Sequence, residues 1–65
     1  MPLSGEEMLK RYLRGGWTIL RRRGSRVMVG LGGFRETIPM HPELGRGLER
    51  KLLKKLAAVG RGSGR

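Results

Sequence analysis

The dipeptide Gly24-Ser25, set between "WTILRRR" and "VMVGL", constrains this chain more than any other feature of its sequence. A connection of two residues joins neighbouring antiparallel strands, and glycine supplies the positive φ that such a turn demands. Residues 17–22, rich in strand formers although only weakly alternating, read as a first strand, and residues 27–31 as a second. "GLGG" makes the next turn. "FRETIPM" then reads as a third strand, with Phe34, Glu36 and Ile38 on one face and Pro39 at a sheet edge or terminus.

Amphipathic segments flank this meander. "SGEE" places Ser4 and Glu7 at capping-box spacing, and Met8, Leu9, Tyr12 and Leu13 form an apolar stripe opposite Lys10, Arg11 and Arg14. Glu6–Lys10 and Glu7–Arg11 are spaced as favourable helical ion pairs. Residues 5–14 are therefore expected to be helical, stopped by Gly15-Gly16 with one glycine in a left-handed cap. "HPELGRG" reads as a loop. From Leu48 a second helix carries Leu48, Leu52, Leu53, Leu56 and Val59 on one side and Arg50, Lys51, Lys54 and Lys55 on the other. Glu49 lies near the helix start and the lysines toward its end, as the helix dipole favours. Gly60 is the expected cap. Both stripes need cover, and one face of the sheet is the candidate. The expected fold class is α+β: a two-layer αβββα domain over residues 1–60, with a three-stranded antiparallel sheet and two helices on one face. Residues 61–65, "RGSGR", are expected to form a flexible basic tail. Its glycine spacing does not make a dinucleotide fingerprint, which needs a preceding strand and a following helix.

With 65 residues, the chain buries only about 60% of the surface its unfolded form exposes. It has no cysteine, which excludes disulfides and cysteine-ligated zinc. One histidine and five carboxylates leave little material for a metal site, so no metal or other cofactor is expected. No secretory signal or run of about 18 apolar residues is present, which points to a cytoplasmic protein that does not enter the membrane. Charge is the loudest signal: fifteen Lys and Arg against five Asp and Glu, net +10, with no acidic residue between Glu7 and Glu36. Such a surface attracts polyanions regardless of sequence. Nucleic acid fits better than a lipid surface, which calls for a broader apolar helix face. The αβββα order with a basic surface suggests a double-stranded-RNA-binding-type fold, read mainly through shape and phosphates.

The segments "GGWTILRRRGS", "RETIPMH" and "ELGRGLERKLLKKL" resemble, in order and spacing, the HicA family of prokaryotic toxin–antitoxin modules, over about Ser4 to Gly60. The resemblance implies an mRNA-cleaving toxin with a double-stranded-RNA-binding-domain-like fold, held inactive by a HicB-type antitoxin. In that family the turn after the first strand reads Gly-Ser-His, and the histidine is catalytic. Gly24 and Ser25 match, but Arg26 stands at the histidine position.

Metal-free RNA cleavage needs a base to take the 2′-hydroxyl proton, and imidazole suits that task near neutral pH. A guanidinium has five donors and no acceptor and keeps its proton in proteins. Arg26 can hold a phosphate or stabilise transition-state charge, yet it cannot be the base. Two accounts fit: a substitution that disables a toxin, which is preferred, and a chain turned RNA binder or antitoxin decoy. The expected roles are therefore Arg26 at the catalytic position, Gly24 and Ser25 shaping the turn, and Lys10, Arg11, Arg21, Arg23 and Arg46 steering RNA. Alternation sends Arg22 to the opposite face from its neighbours. His41 is expected to be structural or loop-capping, and Tyr12 and Trp17 to pack in the core rather than stack on bases. Rival functions are a non-catalytic RNA-binding module and a basic interaction protein that docks an acidic partner.

Overall fold

The computed structural model describes residues 3–59, ordered as α1 (Gly5–Arg14), β1 (Thr18–Arg23), β2 (Arg26–Leu31), β3 (Phe34–Pro39) and α2 (Arg46–Val59). The strands form one antiparallel sheet in the order β1-β2-β3. Val27, Val29 and Ile38 share one face and meet Met8 and Tyr12 of α1 and Leu52 of α2, all fully buried. Both helices thus cover one face and leave the other open. This is the two-layer αβββα domain read from the pattern.

The helix α1 starts where its cap demands. The Glu7 amide donates to Ser4 Oγ at 3.1 Å, and Glu7 Oε1 accepts from the Ser4 amide at 3.0 Å. The helix ends as Gly15 N–H donates to the Arg11 and Tyr12 carbonyls and Gly16 takes a φ of 100°. Two expectations for α1 change. Leu13 is 40% exposed, because the stripe runs one position beyond what the small sheet can cover. The Glu6–Lys10 and Glu7–Arg11 pairs do not form: among the described residues the salt bridge is Lys55–Glu36, at 3.0 Å between α2 and β3.

The first strand is displaced by one residue from the expected range. The Trp17 amide donates to the Tyr12 carbonyl, so Trp17 belongs to the helix exit, and its side chain is 2% exposed in the core. The register then shifts between Ile19 and Arg21. That irregularity explains the weak alternation of the segment: Leu20 is the extra residue. Its side chain lies over Gly30, where an added Cβ would come within 2.6 Å of Leu20 Cδ1. Further along, Gly24 (φ 58°) and Gly32 (φ 63°) open two-residue turns whose second residues keep negative φ, as type II′ geometry prefers. On β3, Ile38 is buried and Glu36 half-buried, whereas Phe34 on the same face is exposed at the strand's start.

The second helix begins at Arg46, two residues before its expected start, with Glu49 N–H donating to the Gly45 carbonyl. Leu44, read as loop, is buried at 2% exposure and anchors this entry. The last turn of α2 holds no basic residue, so the lysines lie mid-helix rather than at the negative end of the dipole. Gly60 and residues 61–65 lie outside the described residues.

Tyr12 ties the layers together. Its hydroxyl donates to the Leu52 carbonyl at 2.7 Å, and its ring meets Trp17 edge-on with centroids 4.9 Å apart. Burial, aided by the Glu36 carboxylate, raises the phenol's pKa above its ordinary value. The neutral form is the one the fold holds, so its contribution is complete below about pH 10, the ordinary phenol value, and is lost as pH rises beyond it. Tyr12→Phe is expected to cost about 1 kcal/mol at neutral pH. Urea titrations at pH 7 and above pH 10 check both points, because the variant should also lose less stability than the parent on going alkaline.

Candidate nucleic-acid interface

The open face of the sheet carries Arg21, Arg23 and Arg26. Pairing puts Arg21 opposite Met28, which is opposite Thr37, and puts Arg23 opposite Arg26 beside Pro39. Residues paired across strands share a face. Arg21, Arg23, Arg26, Met28 and Thr37 accordingly line one shallow cleft of about 170 Å³, and no carboxylate is among them. Like charges set directly across a strand pair repel. The Arg23–Arg26 pairing therefore costs stability, and an anion bound between the guanidinium groups would offset that cost. None of these arginines has an acidic partner within 4.0 Å among the described residues.

The turn above the cleft is held on both sides. Gly24 adopts a φ that L side chains rarely take, with no atom within 4 Å of an added Cβ. The Ser25 carbonyl accepts from Met40 N–H at 2.6 Å, which extends the β2–β3 ladder past its last residue pair. Arg26 thus projects from a fixed backbone.

The other basic residues read as RNA contacts are placed elsewhere. Arg11 is near Arg14, Gly15 and Leu56 at the far end of α1, Lys10 is exposed on the outer side of that helix, and Arg46 is exposed in the first turn of α2. The structure brings Arg21 and Arg23 to Arg26 and leaves these three outside that cleft. Arg22 lies on the opposite face from Arg21 and Arg23, in a second cleft of about 450 Å³ that also holds Glu6 and His41. His41 lies in the loop after β3 with its side chain exposed, and its backbone carbonyl accepts from the N–H of Gly5, the first residue of α1, at 2.9 Å. Sequence reasoning missed Met28 and Thr37 as the floor of the first cleft. The strand register was the signal for them.

Among the described residues no group of three metal-ligating side chains comes together, and no helix is long and apolar enough to cross a membrane. No match is found among curated proteins or solved structures. A family model described as the HicA toxin of bacterial toxin–antitoxin systems matches residues 5–57, from the first residue of α1 into the last turn of α2. With the αβββα order, the Gly24-Ser25 turn and the basic open face in place, the chain belongs to the HicA toxin family.

Proposed function

We propose that this toxin binds mRNA across the open sheet face and that its endoribonuclease step is disabled, or strongly impaired, at position 26. The observation that supports this reading is the cleft in which Arg21, Arg23 and Arg26 converge without a carboxylate. Three guanidinium groups can hold successive phosphates and stabilise charge on a phosphorane. No group in that cleft takes a proton from a 2′-hydroxyl, because arginine does not deprotonate. General-base catalysis contributes about 100- to 10,000-fold, and that factor is what position 26 forfeits. The same cationic face is where a HicB-type antitoxin of acidic character would dock in the cytoplasm, since neutralising the toxin requires covering its RNA-binding surface.

Salt dependence tests the binding half of this reading. Three phosphate contacts on a single strand give a slope of roughly −2 in log affinity against log salt, or about a 20-fold loss between 50 and 200 mM. Replacing Arg21 and Arg23 with Gln is expected to flatten the slope toward about −0.7, the value for one contact. An affinity that ignores salt, or no binding at low salt, removes the support for an RNA-binding face.

A further inference from the structure

The only imidazole in the chain is not on the open face. His41 shares the second cleft with Glu6 and Arg22, across the β1–β2 hairpin from Arg26. Three features make this more than a chance meeting of surface groups. The capping box engages Glu7 and leaves its neighbour Glu6 without a hydrogen-bond partner among the described residues. The backbone at His41 is pinned on both sides, by Gly5 N–H on its own carbonyl and by the Met40 amide on Ser25. Arg22 projects from the one strand position between Arg21 and Arg23 that faces the helix layer. A carboxylate, an imidazole and a guanidinium on three separate elements thus border one opening. That set supplies a base, an acid and a phosphate holder, which is what cleavage of an RNA phosphodiester needs without metal.

We propose that Glu6, Arg22 and His41 form a second phosphodiester-cleaving site. The inference rests on the RNA-binding reading and assigns the strand a path around the β1–β2 turn. Arg22 holds the non-bridging oxygens. The Glu6 carboxylate takes the proton of the 2′-hydroxyl as O2′ bonds to phosphorus. The bond from phosphorus to O5′ breaks, and the His41 imidazolium gives its proton to that oxygen. The products are a 2′,3′-cyclic phosphate and a 5′-hydroxyl, and water later restores the protons. The charged groups that line the cleft with His41 are Glu6 from α1 and Arg22 from β1, and Glu43 follows two residues on in the sequence. A carboxylate base and an imidazolium acid work together only between the pH ranges in which each kind of group titrates. The rate should therefore pass through a maximum in pH, because the base must be ionised and the acid protonated at once.

The test uses the unaltered chain with a short RNA in EDTA, across pH 4 to 9, and then Glu6→Gln, Arg22→Gln and His41→Asn. The expected result is slow cleavage to the cyclic phosphate with that maximum in pH. Roughly 100-fold or greater losses are expected in Glu6→Gln and His41→Asn, with loss of the acid limb in the first and the alkaline limb in the second. Circular dichroism confirms folding of each variant, and the profile of the unaltered chain needs no variant at all. RNA binding without cleavage overturns the second site and leaves the proposed function standing. Cleavage that survives both variants also overturns it. Failure to bind RNA at low salt overturns the proposed function, and this inference with it.

Discussion

Gly5→Ala is expected to unfold a large fraction of the molecules. The Cβ of an alanine here would lie inside the Pro39 carbonyl oxygen and 2.7 Å from Met40 Cα. Both obstacles are backbone, so no rotamer change relieves the overlap. The first turn of α1 would have to move off the end of β3, breaking the Gly5–His41 hydrogen bond and disturbing the Leu44–Leu3 bond that straps the loop. Overpacking costs about 1–3 kcal/mol and more where nothing can yield, so a loss near 3 kcal/mol or above is expected. Total stability for a chain of this length is only on the order of 3–10 kcal/mol at the usual 0.05–0.15 kcal/mol per residue. Gly47 offers the opposite case. It lies inside α2, with nothing within 4 Å of an added Cβ, so Gly47→Ala should stabilise by about 0.5–1 kcal/mol. Urea unfolding followed by the emission of Trp17 measures both. A Gly5→Ala protein as stable as the parent would show that α1 does not approach β3 as described.

How much of this was legible in the sequence depends on whether a signal was local. The start of α1 was readable because the capping box lies within four consecutive residues, and the strands because their turns are dipeptides. The opposite faces of Arg22 and its two neighbours followed from alternation alone. Leu20 was not readable as a bulge, since the reason for it is Gly30 on the adjacent strand. The α2 start was misplaced for a similar reason: Gly45 and Gly47 argue for a loop, and the burial of Leu44 overrides them. Leu13 failed in the other direction, a helical stripe longer than its cover. The tight approach at Gly5 could not be foreseen, because the residues it protects lie more than thirty positions away. The same holds for the cleft that joins Glu6 to His41. For Arg26, chemistry rather than pattern carried the reading: its neighbours can be placed by pairing, but the proposed defect there rests on the absence of an acceptor atom in a guanidinium.

Restoring that atom is the most direct test of the central claim, that this fold binds RNA at position 26 without the base needed to cleave it there. Arg26→His keeps the turn intact, since Gly24 and Ser25 set the backbone and the Arg26 side chain is exposed. In EDTA the variant is expected to cleave RNA about 100- to 10,000-fold faster than the parent, leaving a 2′,3′-cyclic phosphate. Its rate should rise with pH through the range in which imidazole becomes a proton acceptor. That direction is opposite to the fall expected of an imidazolium acid at His41. The gain should also persist when His41→Asn is added, because the two positions lie on opposite sides of the hairpin. Arg26→Gln should show no such gain, which separates a restored base from a removed cation. The account predicts metal-free cleavage from a folded, RNA-binding Arg26→His protein, with that rising pH profile. A folded Arg26→His protein that binds RNA as the parent does and cleaves no faster at any pH would contradict it.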